Sequence, residues 1–310
     1  MPHLPLFHHS WPDSEHEVQN QKLETNIPRA ILLMCGAGLM FGVSSVILKA
    51  CSKDIPSMEC AFFRALIGFA ILLGLALTGV RKTPIGNRKF LLFLRAFFGA
   101  VASLTYVWAI PRMDLALANG LNQTSPIFVC IFAAIFLGER FRWWVYALVV
   151  MAFCGIALVI RPDVSGMNVA ALAALSSAVI SGLAYTCLRL LQKTESPNTI
   201  VLWFMGVSTL LSFVMAFFED WVMPHGWVLF GLVMVGLTAF FAQMLMTRAY
   251  HYAPATIVAP FIYISTISSL VIALLVWGEL PGVTALIGCG IIIVSAVLIG
   301  VLPGRRHEKT

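Results

Sequence analysis

The sequence predicts an all-α integral membrane protein whose ten transmembrane helices form two inverted five-helix repeats. Three observations predict it: a scarcity of charge, ten apolar runs of spanning length, and an internal repeat at one constant offset. Only 11% of the 310 residues are charged and 60% are hydrophobic, against roughly 25% charged in soluble domains. The 20 basic and 14 acidic side chains are too few to solvate a soluble surface of this size. A net charge of +6 does not point to nucleic acid, because a nucleic-acid binder gathers its Lys and Arg on one face. Here they sit singly or in pairs between apolar runs, as in a protein whose solvent is the lipid bilayer. The seven cysteines include no CxxC pair, so they read as buried free thiols and not as a disulfide framework or metal cluster.

A helix needs about 20 mostly apolar residues to cross the bilayer core. Such runs occupy 30–51, 59–80, 89–110, 115–137, 143–160, 169–190, 198–218, 227–250, 256–277 and 282–302. Turn formers separate them, such as Asp54-Ile55-Pro56-Ser57 and Arg161-Pro162-Asp163. Residues 1–29 are polar, with four His and four acids, and read as a disordered cytosolic tail. They are no signal peptide, because the first apolar run starts late and is long. Residues 303–310 form a second cytosolic tail. With the N-terminus inside, 14 of the 20 basic residues fall on the cytosolic side. Lys49, Lys53, Arg112 and Arg161 fall outside, and Arg64 and Arg95 lie within spans. That asymmetry places both termini in the cytosol and requires an even number of spans.

Shifting the chain by 140 residues superimposes Gly42 on Gly182, Lys49 on Arg189, Ala109 on Ala249 and Ser125 on Ser265. The same shift carries Gly138-Glu139 onto Gly278-Glu279, each pair ending the fourth span of its half. The repeats are therefore residues 30–162 and 163–302. Five spans per half is an odd number, so the second half inserts upside down. Inverted repeats of this kind build secondary transporters, with the cargo site near the midplane between halves.

Polar side chains inside spans are costly unless they face a cavity or a partner. In the fourth span Asn119, Asn122, Gln123 and Pro126 fall at i, i+3, i+4 and i+7, on one face. Three carboxamides supply donors and acceptors for a polar cargo, although they could equally fasten helices together. Pro126 lacks an N–H, which frees a carbonyl and permits a bend; Pro260 is its counterpart in the ninth span. Tyr263 lies on the matched face of that span, Tyr106 on the third, Tyr185 on the sixth and Gln243 on the eighth. Trp108 and Trp203 are either gates or interface anchors. Arg64 and Arg95 sit roughly 9 Å inside opposite edges of their spans, at about 1.5 Å per residue. Each either snorkels to its own interface, pairs within the protein (Arg64 with Glu59), or binds an anionic group of the cargo. Glu139 and Glu279 end their helices and read as loop ties.

Phe62-Phe63-Arg64-Ala65, Leu94-Arg95-Ala96-Phe97-Phe98-Gly99, and Pro126 followed by Leu137-Gly138-Glu139-Arg140 also carry a family resemblance, echoed by Trp277-Gly278-Glu279. Over about residues 30–302 the chain resembles the EamA-type ten-helix group of the drug/metabolite transporter superfamily. The resemblance implies a bacterial inner-membrane protein and favours export, and it leaves the cargo open. Phe204 and Val235 stand in the second half where the first has Arg64 and Arg95, so any role of those arginines is confined to the first half.

The expected function is secondary transport of a small polar organic metabolite, amino-acid-like in size and zwitterionic or anionic, by alternating access. The alternative is uptake of a nucleoside- or cofactor-like compound such as S-adenosylmethionine or riboflavin. A monomer working without a cofactor suffices. No HExxH motif, embedded His or paired carboxylate supports an enzyme. No Asp, Glu or His lies near a span midpoint, so the expected mode is facilitated diffusion or exchange, or proton coupling through Glu59.

Overall fold

The computed structural model describes residues 26–78, 86–136, 142–160, 169–192, 194–253 and 258–301. Among these the regular structure is entirely helical. Chain order gives α1 (Ile27–Cys51), α2 (Ser57–Leu77), α3 (Lys89–Ala109), α4 (Leu115–Asn122), α5 (Ser125–Phe136) and α6 (Trp143–Ile160). The second half gives α7 (Val169–Leu191), α8 (Pro197–Ala216), α9 (Gly226–Tyr252), α10 (Ile264–Trp277) and α11 (Val283–Val301). Seven helical stretches are long and apolar enough to cross a membrane, and three shorter apolar helices accompany them. The tails at 1–25 and 302–310, the Gly138-Glu139-Arg140 segment and Arg161 lie outside the described residues.

Local chemistry explains the boundaries. The Asn26 side chain accepts the Arg29 N–H at 3.1 Å and Pro28 fills the first turn, so α1 starts at Ile27, inside the expected tail. Ser196 caps α8 in the same way, accepting the Thr199 N–H at 3.2 Å ahead of Pro197. α10 stops at Gly278, which takes φ +67°.

The fourth span is not one helix. α4 ends at Asn122, Gln123 and Thr124 form a turn, and α5 starts at Ser125. Pro126 has no N–H for the Asn122 carbonyl, and the Thr124 N–H bonds to the Leu121 carbonyl at 3.1 Å instead. The expected bend is a break. The ninth span likewise opens as a 3-10 turn, Ala259–Tyr263, which contains Pro260. A second 3-10 turn, Ile110–Arg112, extends α3.

Packing joins the halves along their whole length. α1 packs on α9 and α10, α3 on α7 and α8, α2 on α8 and α9, α5 on α7, and α6 on α11. One buried apolar cluster unites Val46 and Leu48 of α1, Val107 of α3, Leu232 and Val235 of α9, and Ala273 of α10. Gly42 lets α1 approach α10 closely: a Cβ there would overlap Ser268 Oγ and come within 3.0 Å of the Ser265 carbonyl. Large apolar side chains such as Leu32, Leu77, Phe90, Phe230 and Leu275 are exposed around the outside, as a lipid-facing surface requires. Cys154 is on this exposed surface, whereas Cys51, Cys60 and Cys289 are buried free thiols.

Candidate functional site

The polar residues of the spans converge on one cavity between the halves, formed by α1 to α4 and α7 to α10 with the 3-10 turn that precedes α10. Arg64 reaches it from α2, Arg95 and Tyr106 from α3, Asn119 and Asn122 from α4, and Gln123 from the break that follows. Tyr185 reaches it from α7 and Gln243 from α9. A smaller adjoining cavity shares Arg64, Ser103, Phe204 and Gln243.

The α4 break gives the carboxamides separate partners. Asn122 Nδ2 donates to Ser177 Oγ of α7 at 2.7 Å, and Gln123 Nε2 donates to Ser265 Oγ of α10 at 2.6 Å. These two amides therefore line the cavity and tie the first half to the second. Asn119 is 4% exposed and accepts a hydrogen bond from the Tyr106 hydroxyl, which also meets Ser45 Oγ at 3.1 Å. Its own Nδ2 is a buried donor without a partner.

The arginines do not snorkel. Arg95 is 2% exposed, with its guanidinium 5.0 Å from the Phe204 ring centroid and 5.8 Å from that of Tyr185. Gly99, one turn on, clears the space: a Cβ there would overlap Arg95 Nη1. Arg64 donates to Ser103 Oγ at 3.5 Å and not to Glu59. Glu59 is buried at the start of α2, where Oε2 accepts the Val222 N–H at 3.1 Å and Oε1 has no partner. Of the three roles open to each arginine, the structure places both on the cavity.

Three predicted residues fall elsewhere. Tyr263 is 3% exposed and packs with Ile127, Val145 and Ile299, while its hydroxyl donates to the Gln123 carbonyl at 2.9 Å. It holds the α4 break from behind and does not line the cavity. Trp108 lies under the Arg112 guanidinium, 4.1 Å from its carbon to the ring centroid. Trp203 packs against Leu92, Leu188, Leu191 and Ile200. The hinge candidates are beside the site in the chain, Pro126 at the start of α5 and Pro260 in the 3-10 turn.

Sequence polarity missed Phe41, Phe204, Met246 and Ile262, which line the same cavity. The 140-residue offset finds them. Phe41/Ser181, Ser45/Tyr185, Arg64/Phe204, Ser103/Gln243, Tyr106/Met246 and Asn122/Ile262 are all pairs at that offset, and both members of every pair line the cavity. Two of the six, Arg64/Phe204 and Asn122/Ile262, set a strongly polar side chain against an apolar one.

At one end of the bundle Lys49 Nζ bonds both Glu279 carboxylate oxygens at 2.6 and 2.7 Å and the Met113 carbonyl at 3.2 Å. This joins the end of α1 to the segments ahead of α4 and after α10, so Glu279 is a tie, as its position suggested. Glu195 serves another junction, accepting the Asn87 and Arg88 N–H groups at 2.8 Å each. The cavity itself encloses about 90 Å³, room for a few waters, whereas sites enclosing organic ligands span roughly 300–1,000 Å³.

A buried polar cavity walled by apolar helices from both halves defines a carrier for a small solute across a membrane. Two matches to the model of the EamA-like transporter family, over residues 28–161 and 168–301, place one family unit on each half. The chain belongs to the EamA-like transporter family. It is 32% identical over 270 residues to the pseudopaline exporter of Pseudomonas aeruginosa, covering 86% of this chain and 94% of that one. It is 28% identical over 288 residues to a riboflavin transporter of Rhizobium johnstonii, covering 90% and 93%. An S-adenosylmethionine uptake transporter of Rickettsia felis is 23% identical over 274 residues, covering 86% and 92%. One solved crystal structure superposes with a TM-score of 0.62 at 18% identity, covering 88% of this chain and 96% of that one, which shows the shared fold. The protein is a multi-pass membrane transporter of a small metabolite.

Proposed function

We propose that the chain is a ten-span carrier of two inverted repeats that exports a small polar metabolite by alternating access. It acts as a monomer in the bacterial inner membrane, with both termini cytosolic. The observation that carries this reading is the set of six cavity-lining pairs at one offset of 140 residues. A site on the pseudo-symmetry axis is what two repeats rocking about it require.

Packing supports the repeat. Exchanging the halves turns α1 on α9 into α3 on α7, α3 on α8 into α9 on α2, and α1 on α10 into α5 on α7. The end contacts support the inversion. Glu59 at the start of α2 holds the backbone ahead of α9, and Glu195 ahead of α8 holds the backbone ahead of α3. In an up-and-down order of ten spans these matched clasps fall on opposite faces, with the Lys49–Glu279 tie on the same face as Glu59.

In this reading Asn119, Asn122, Gln123 and Gln243 orient the cargo, Tyr106 and Tyr185 line its less polar part, and the breaks beside Pro126 and Pro260 are the hinges. The cargo is amino-acid-like in size, zwitterionic or anionic. A second reading, uptake of a cofactor-like compound, draws on Phe41, Tyr185 and Phe204 as stacking surfaces and on the riboflavin and S-adenosylmethionine relatives. Counterflow in proteoliposomes loaded with a bacterial metabolite extract tests the carrier: saturable, trans-stimulated exchange supports it, and linear, unstimulated flux defeats it.

A further inference from the structure

Two cations face the cavity without a counter-ion, Arg95 buried and Arg64 half-buried. Arg64 meets one neutral hydroxyl, Ser103 Oγ, and the titratable groups that act on it are the neutral phenols of Tyr106 and Tyr185. Around Arg95 they are Tyr185, Cys187 and Tyr250. Among the described residues neither guanidinium meets a carboxylate, in contrast to Lys49, whose ammonium is fully paired with Glu279. A buried charge left unpaired is strongly unfavourable. A fold that keeps two in one cavity has a use for them.

The unsatisfied donors point the same way. Arg95 Nε and Asn119 Nδ2 are both buried and without a partner, and both residues line the cavity. The site therefore has donors and positive charge in excess and lacks anionic acceptors. Gly99 exists as the space into which the Arg95 guanidinium folds, so the charge is positioned and not incidental. The repeat mates of the two arginines are Phe204, which lines the cavity, and Val235, which is buried in the core. All of this excess charge comes from the first half.

Resting on the carrier reading above, we propose that the cargo is a dianion with two separate carboxylates. One would sit on Arg95 with the Asn119 amide, the other on Arg64, and the neutral remainder would lie against Phe204, Met246 and Ile262. Two guanidiniums on different helices suit two carboxylates better than one compact phosphate. The neutral and monoanionic cargoes are thereby demoted, because each leaves at least one cavity-facing guanidinium uncompensated.

The test uses glutarate, its monoamide and its diamide, probes of one shape carrying two, one and no negative charges. Each is titrated against the purified full-length protein, with thermal stabilisation as the readout. Glutarate should bind at least about tenfold more tightly than the monoamide, the increment of a charge-assisted pair. Arg64→Gln and Arg95→Gln should each abolish that preference. Arg95→Lys, which keeps the charge, should retain part of it, and Gly99→Ala, which displaces the guanidinium, should weaken it without altering any polar group. Equal binding of the three probes, no binding of glutarate, a preference surviving both Gln variants, or stabilisation by propyl phosphate in place of glutarate would each overturn the assignment. Counterflow of neutral or cationic solutes in those cases would leave the carrier intact, whereas loss of counterflow for every solute would defeat the carrier itself.

Discussion

Asn122 and Gln123 distinguish a cargo site from a set of helix fasteners, because the structure gives them both opportunities. In Asn122→Leu with Gln123→Ala, the bonds to Ser177 Oγ and Ser265 Oγ disappear. An interhelical side-chain bond inside a membrane contributes about 0.6 kcal/mol on average and about 1.7 at most. The two losses should therefore lower stability by roughly 1–3 kcal/mol, and both serine hydroxyls remain polar partners for water. If the same amides also hold cargo, each lost contact removes about 0.5–1.5 kcal/mol of binding. Together that is a rise in KM of roughly 5- to 140-fold, at about 1.4 kcal/mol per decade. Thermal unfolding in detergent reads the first effect and exchange kinetics in proteoliposomes read the second. A loss of stability with KM changed less than twofold would refute the cargo role and leave the pair as fasteners.

The end ties predict opposite biases. Lys49→Met strands a partly buried Glu279, worth about 1–3 kcal/mol between the exposed and buried limits for ion pairs, and should favour the form open at the Glu279 face. Glu195→Ala removes the acceptor of the Asn87 and Arg88 N–H groups and should favour the form open at the other face; impermeant alkylation of a Ser45→Cys reporter from each side checks both. Gly42→Val would drive a side chain into Ser268 and the Ser265 carbonyl, so α1 and α10 must separate; a fall of at least about 2 kcal/mol in unfolding free energy is expected. Glu59→Gln keeps an oxygen for the Val222 N–H, so stability should change by less than about 1 kcal/mol. Any proton-driven accumulation should vanish in that variant, and proton coupling that persists would show a relay elsewhere.

Much of the architecture was legible in the sequence because its causes are local. Apolar runs and the Pro126 interruption are each written in a few adjacent residues, whereas the Asn26 cap was passed over because it lies in a polar stretch read as tail. The 140-residue offset was legible because two Gly-Glu pairs recur at it, and the two family matches fall one on each half. Periodicity named the cavity face of α4, and single polar residues marked α3 and α7 through Tyr106 and Tyr185, but the same reasoning failed where a face has two possible neighbours. Tyr263 shares its helix face with plausible lining positions, yet it packs behind the α4 break against Ile127 and Ile299. The position of Arg64 and Arg95 along their helices contains nothing about rotation, so it left three roles open where the structure shows the cavity. Met246 and Ile262 carry no polar signal, and only their offset from Tyr106 and Asn122 marks them.

The central claim is that one cavity between the halves opens to each side of the membrane in turn. The most direct measurement is impermeant maleimide labelling of Gln243→Cys, in a background without the native cysteines, in right-side-out and inside-out vesicles. The account predicts reaction from both faces, and protection by the exchanged cargo in each case. Reaction from one face alone, unaltered by Lys49→Met or Glu195→Ala, would contradict it.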